Sequence, residues 1–538
     1  KRNASTDLYF TNSSIYGFYK YYKADDRQAY ADVMANINKR FGDLSLSANI
    51  GGSFTQTYYD ERGFQGGLKD MSNVFSLYNM TTTLDKDTYP IESGYKQRTN
   101  SIFASAEIGW KSMLYMTLTG RNDWDSALIN TEQSSFFYPS IGLSGVISEM
   151  VKLPKAITYL KVRGSFASVG APIPKNLSSN KTYEWDPATS QWKLQTYRPL
   201  PKLYPERTNS WEAGLNAKFF NNSLSLEVTW YKANTRKQTF QVPLSGTAVY
   251  ATMYAQSGNI ENKGMEFSLG YNKSWGDFSW NSNLTFSFNK NKIVELLDDA
   301  VDDEGNHYSL SEIDKGGIGS AKVILRKGGS MGDMYVTNRL KRDNEGNVYI
   351  DKASQNVKKE DIKNSDEFIH IGSVLPKSNL GFRNDFSYKG ISLGFMLAAR
   401  FGGIVISPTQ AVMDQFGVSK VTALARDNEG VPVNNGKVDP QTYYTEVGGI
   451  SGLMSNYVYS ATNVRLQELS VGYSLPAKWF NNKCNLSLSI TGHNLWMIYN
   501  KAPFDPEATA STGTYYQGVD YFMQPSLRSW GFNVKIQF

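Results

Sequence analysis

The sequence predicts an all-β fold, a transmembrane antiparallel β-barrel wall of about fifteen strands, and three observations predict it. The last stretch, 527–538, sets Trp530, Phe532, Val534, Ile536 and Phe538 on one face and Ser529, Gly531, Asn533, Lys535 and Gln537 on the other. That is the two-residue period of a strand between lipid and water. The same unit, two alternating runs joined by a short turn, recurs along the chain. Long segments join the units, so short turns fall on one rim and long connections on the other, as in outer-membrane barrels and unlike soluble sandwiches.

Composition agrees. Hydrophobic residues make up 40% of the 538, and no window approaches the ~18–20 apolar residues of a spanning helix. Aromatic residues reach 14%, with 34 Tyr and 11 Trp beside 45 Gly, a usage that favours strands and turns. A single cysteine, Cys484, rules out an intramolecular disulfide, and His307, His370 and His493 leave little for zinc or acid–base chemistry. The net charge of +6 is mild for this length, so no nucleic-acid partner is expected.

The elements follow in order. The first unit joins 31–40 to 44–57 through 41–43, and the second joins 96–110 to 114–122 through 111–113. The third joins 136–147 to 158–169 through 148–154, long enough for a helical turn. The fourth, 209–220 and 223–231, turns at Asn221-Asn222 and alternates Leu224, Leu226, Val228 and Trp230 with Ser225, Glu227 and Thr229. The fifth carries Met265, Phe267, Leu269 and Tyr271, turns at Trp275-Gly276-Asp277, and returns through Leu284, Phe286 and Phe288. The sixth pairs 380–388 with 391–401 across Lys389-Gly390, and the seventh pairs 469–475 with 486–490. Parity slips between Leu466 and Leu469, which calls for a bulge near Gln467-Glu468. Seven units and the terminal strand give an odd count, so the first and last strands run the same way. They cannot pair antiparallel, and this chain alone should not close.

Several segments carry a family resemblance. They are Leu160-Lys161-Val162-Arg163-Gly164-Ser165-Phe166-Ala167, Glu206-Arg207-Thr208-Asn209-Ser210-Trp211-Glu212-Ala213-Gly214-Leu215, and Gly258-Asn259-Ile260-Glu261-Asn262-Lys263-Gly264-Met265-Glu266. Further on come Asn463-Val464-Arg465-Leu466-Gln467-Glu468-Leu469-Ser470-Val471-Gly472-Tyr473, Gly492-His493-Asn494-Leu495-Trp496 and Phe504-Asp505-Pro506-Glu507. In this order they resemble the C-terminal barrel portion of SusC-like (RagA-like) TonB-dependent outer-membrane transporters, along nearly the whole chain. The resemblance implies a barrel of twenty-two strands around an N-terminal plug, of which about fifteen C-terminal strands lie here. The plug, the TonB box and the first strands are then expected outside this chain.

The resemblance also implies a function: energy-dependent import of a nutrient, an oligosaccharide first and a peptide second, across the outer membrane of a Gram-negative bacterium. Implied partners are a SusD-like surface lipoprotein acting as a lid, the TonB-ExbB-ExbD complex, the plug, and membrane lipid with lipopolysaccharide. A passive porin and a surface hydrolase stay open as alternatives. Sugars stack on aromatic faces and hydrogen-bond to Asn, Asp and Arg, so the candidate ligand residues are Asp123, Trp124, Asp125, Trp185, Trp192 and Tyr197. Such loop aromatics also serve to pack loops on one another or on a lid. The terminal strand, with Trp530, Phe532, Val534, Ile536 and Phe538, resembles the signal read by barrel-assembly machinery, and Phe538 also suits an interfacial anchor.

Other motifs imitate chemistry. Gly328-Gly329-Ser330-Met331-Gly332 matches the nucleophile-elbow pattern, yet no amphipathic helix follows, so the glycines read as turn residues and no catalytic residue is expected. No cofactor or resident metal is expected either. The acidic runs Asp298, Asp299, Asp302, Asp303, Glu304 and 343–351 could hold calcium, but the second misplaces the glycine of an EF-hand loop, and a solvated loop is the plainer reading. Cys484, beside a turn, reads as an unreactive wall residue.

Overall fold

The computed structural model describes residues 2–5, 15–81, 89–175, 177, 183–186, 191–194, 197–198, 203–243, 252–301, 307–351, 357–433, 436–481, 483–511, 513 and 517–538. Among the described residues fifteen long strands form one antiparallel sheet. They are β1 (Phe18–Phe41), β2 (Leu44–Gly67), β3 (Tyr89–Trp110), β4 (Leu114–Asp125), β5 (Ser135–Val146), β6 (Ile157–Ala171), β7 (Glu206–Phe219) and β8 (Leu224–Pro243). After them come β9 (Thr252–Trp275), β10 (Phe278–Glu295), β11 (Ser378–Tyr388), β12 (Ile391–Phe401), β13 (Asn463–Ser474), β14 (Asn485–Asn500) and β15 (Ser529–Gln537). Each pairs with the next in sequence, and among the described residues β1 and β15 do not pair with each other. Two short segments, Arg2–Ser5 and Tyr197–Arg198, add to β1 and β9.

All the tight connections lie at one end. Lys389 and Gly390, both at positive φ (46° and 88°), turn β11 into β12 in the two-residue form that matches strand twist. The sequence predicts alternating runs of roughly 9–15 residues, but β1, β2 and β9 run for 24 each, about 80 Å. The wall therefore continues well beyond a membrane's apolar thickness on the long-connection side, and part of each expected loop is strand.

One face of the wall is apolar and exposed. Val33 is 81% exposed, Ile102 58% and Phe532 65%, where a soluble sheet would have covered them. Register carries this face across strands, for example Leu118 opposite Ile141, Phe166 opposite Trp211, and Ile490 opposite Phe532. At the tight-turn rim it ends in packed rings, Tyr271 on Trp280 at 4.8 Å and Trp280 on Phe386 at 6.0 Å. The other face is polar. The expected bulge is present: Leu466 pairs Leu397 and Glu468 pairs Met396, leaving Gln467 extra. That insertion puts both Arg465 and Glu468 on the polar face, which strict alternation would forbid.

The buried apolar core lies in the long connections. A small sheet of Glu312–Ile318, Ala321–Arg326, Asp333–Val336 and Ile369–Ser373 buries Val323, Leu325, Met334 and Val336. These pack with Ile260 and Ile293 of the wall and with Ile406, Ala411 and Met454 from the connection between β12 and β13. Ile260 and Ile293 sit at polar-face positions of β9 and β10, so this cluster folds inward over that face.

Candidate functional site

On β3 to β5 the polar face carries a tight network. Arg121 Nε donates to Asp123 Oδ1 at 2.7 Å and its Nη2 to Ser101 Oγ at 2.7 Å, while the Tyr138 hydroxyl donates to Asp123 Oδ2 at 2.6 Å. Asp125 accepts from Thr99 Oγ1 at 2.6 Å, from Gln97 Nε2 at 3.1 Å and from the Ala127 N–H at 2.8 Å, capping the turn Ser126–Leu128. Both carboxylates are buried and occupied by their own wall. Trp124, between them, stands on the apolar face opposite Asn100 and is 41% exposed. The sequence grouped Asp123, Trp124 and Asp125 as one ligand patch; the two-residue period separates them.

The tryptophans of the connection between β6 and β7 come together. Tyr183–Asp186 and Gln191–Leu194 pair antiparallel with Trp185 directly opposite Trp192, and Trp192 is 66% exposed. Tyr197 pairs in parallel with Thr252 at the end of β9. The side chains of Trp185 and Tyr197 lie outside the described residues.

Sequence reasoning passed over the middle of the wall. A cavity of about 720 Å³ there is lined by Arg163, Glu212, Glu227, Thr229, Tyr231 and Glu266 among others. Arg163 Nη2 donates to Thr229 Oγ1 at 2.7 Å and pairs with Glu227 at 3.1 Å. Beside it Arg383 holds Asp385 at 2.9 Å and Glu468 at 3.4 Å, with His493 Nδ1 3.9 Å from Glu468. The available signal was parity: each of these charges alternates with an apolar neighbour inside a strand.

The long connections are tied into one cap. Ser320 Oγ and Asn338 Nδ2 both donate to the Gly452 carbonyl, at 3.1 and 3.2 Å. Ser407 caps helix Pro408–Gln415 and donates to Asp520 Oδ2 at 2.5 Å, and the Phe522 N–H donates to Thr409 Oγ1 at 2.7 Å. Arg465 on β13 grips Asp505 in the connection before β15. Burial works to raise the Asp505 carboxyl, but bonds from Arg465, Ser526 and the Glu507 N–H outweigh it and hold it below the usual range. Burial pushes the neighbouring Tyr459 phenol up to about 12.

The motif at 328–332 forms a turn, as does 343–347. Ser330 Oγ donates to Asp333 Oδ1 at 2.6 Å and lies 2.9 Å from Ser373 Oγ, and strand Asp333–Val336, not a helix, follows. His370 Nε2 lies 3.7 Å from the same carboxylate oxygen. Asp343 accepts from the N–H groups of Asn347 and Glu345, and these bonds, that of Asn347 foremost, lower its carboxyl. Among the described residues no three His, Cys, Asp or Glu side chains gather as a metal requires. Residues 302–304 of the other acidic run lie outside the described residues, as do the side chains of Asp298 and Asp299. Cys484, half-buried, precedes β14.

A sheet apolar and exposed on one face, polar on the other, with tight turns at one rim and a folded cap at the other, defines the wall of an outer-membrane barrel. No helix among the described residues is long and apolar enough to cross a membrane. The family model described as "TonB dependent receptor-like, beta-barrel" matches residues 2–323, and the chain belongs to that family, one of outer-membrane barrels. It is 26% identical over 541 residues to TonB-dependent receptor P3 of Formosa agariphila, covering 93% of this chain and 51% of that protein. It is 22% identical over 479 residues to TonB-dependent receptor SusC of Bacteroides thetaiotaomicron, covering 83% and 44%. The solved structure of the RagAB peptide importer in its open-open state matches with a TM-score of 0.73 at 17% identity, over 97% of this chain and 55% of that one. The last likeness is one of fold. The chain spans about half the length of the relatives it matches.

Proposed function

We propose that this chain is the C-terminal wall and loop cap of a SusC-type TonB-dependent transporter that imports a nutrient too large for a porin. An oligosaccharide is the first reading. The observation that carries the proposal is the cap, a folded unit with its own core set inward over a polar wall, where a passive pore would need an open mouth. A peptide is the second reading, favoured by the likeness to the RagAB fold. The plug, the TonB box that draws on TonB-ExbB-ExbD, and a SusD-like lipoprotein lid complete the machine, in the outer membrane of a Gram-negative cell. Trp192, exposed on its short hairpin, is the first candidate for stacking on a sugar ring, with Trp185 and Tyr197 as further candidates, and Asp123 and Asp125 shape the polar face of the wall.

The test is to purify the intact assembly from cells and identify what it carries by mass spectrometry. A bound glycan together with a surface lipoprotein supports the first reading, and bound peptide the second. Uptake that survives loss of TonB sinks both.

A further inference from the structure

Four lysines stand together on the apolar side of the wall, where the transport reading has no use for them. Register across β8, β9 and β10 stacks this face in rungs. Trp230, Met265 and Phe288 lie opposite one another, Lys232, Lys263 and Lys290 form the next rung up, and Glu261 lies opposite Lys292 above that. Measured downward, Met265 and Phe288 lie ten residues from Trp275 and Phe278 at the tight-turn rim. At ordinary rise and tilt that is about 33 Å along the strand and about 25 Å along the membrane normal, the height of a barrel's apolar band. The lysine rung therefore stands at the head-group level of the outer leaflet.

Like charges directly opposite on neighbouring strands destabilise a sheet unless an opposite charge joins them. Glu261 supplies one, 2.9 Å from Lys232 and 3.5 Å from Lys263. Among the described residues no carboxylate lies within ion-pair distance of Lys290 or Lys292, both exposed. Four lysines against one glutamate leave a local excess of three positive charges, beside exposed Trp211 and above an apolar strip.

We propose that Lys232, Lys263, Lys290 and Lys292 bind the phosphate groups of a phosphorylated lipid in the outer leaflet. Charge complementarity and position choose this occupant: a lipid phosphate arrives at that level with its chains already against Trp230, Met265 and Phe288. A free anion would gain nothing from the apolar strip. The inference rests on family membership and register, not on the identity of the imported nutrient.

The test uses the intact protein, purified in mild detergent and incubated with bisphosphorylated lipid A, with retention read by native mass spectrometry. Replacing Lys263, Lys290 and Lys292 together by Gln should cut retention by more than ~10-fold, at roughly five-fold per lysine near an anionic surface. Fully dephosphorylated lipid should be retained no better by the native protein than the phosphorylated lipid is by the variant. Equal retention by native and variant protein, or equal retention of both lipids, would overturn the site. Displacement by millimolar inorganic phosphate would overturn the lipid as occupant. Barrel folding is checked by heat-modified mobility on gels, and if the triple variant fails to insert, Lys292→Gln alone is read by the same assay.

Discussion

The guanidinium of Arg465 and the carboxylate of Asp505 meet in a two-pronged ion pair, Nη2 to Oδ1 at 2.8 Å and Nη1 to Oδ2 at 3.1 Å, with side chains 6% and 9% exposed. Asn463 Oδ1 accepts from Nε of the same arginine at 3.1 Å, and Asn463 in turn donates to Glu507 at 3.0 Å. One wall strand thereby clamps the last connection, and the cap takes its place from that clamp.

Arg465→Ala should leave a buried carboxylate unpaired, at a cost of about 3–5 kcal/mol for the local structure. Hydrogen exchange across 501–528 should rise while exchange in β9 and β10 stays low. Unchanged protection of 501–528 would show that the clamp is dispensable.

Acid should open the same clamp. The folded carboxyl of Asp505 is lowered, so its contribution is present above the unfolded value of about 4 and is lost as pH falls through the lower folded value. Limited proteolysis of 501–528 should therefore be constant from pH 7 to about 5 and rise at lower pH. In Asp505→Asn the clamp is weak at every pH and this titration should vanish.

Faces can be tested one residue apart. Phe532 faces outward opposite Ile490, and a lysine there should cost about 2–4 kcal/mol if it lies at mid-membrane. Asn533→Lys, on the polar face, should fold as the native protein does. Urea unfolding in lipid vesicles decides between them.

Phe538 is 97% exposed at the end of β15. Its deletion should lower the amount of assembled barrel in the outer membrane more than it changes ligand binding per assembled molecule, measured by surface labelling against total protein. Equal assembly would remove it as an assembly signal.

Ser330→Ala removes a hydroxyl bonded to Asp333 and should cost about 1 kcal/mol of local stability without changing uptake. Loss of an esterase activity in that variant would revive the hydrolase alternative.

Much of the wall was legible because lipid contact writes itself into every second residue. The tight turns, the odd strand number and the bulge at Gln467 could all be read that way. Strand length could not. Above the apolar band both faces meet water, so Lys23 opposite Arg62 and Asp25 opposite Asp60 continue β1 and β2 with no alternation to mark them. The faces at 123–125 follow the same geometry: Asp123 and Asp125 share the polar face, and Trp124 between them stands on the other.

The sequence by itself determined that this chain is a lipid-facing wall with its connections crowded on one rim, since a residue's face follows from the residues one and two positions away. Tertiary structure alone decided which polar groups meet which partners. Asp123 meets Tyr138, Asp505 meets Arg465, and Ser407 meets Asp520 across 113 positions. Those pairings depend on register between strands and on how the connections fold over them, and no local period encodes either.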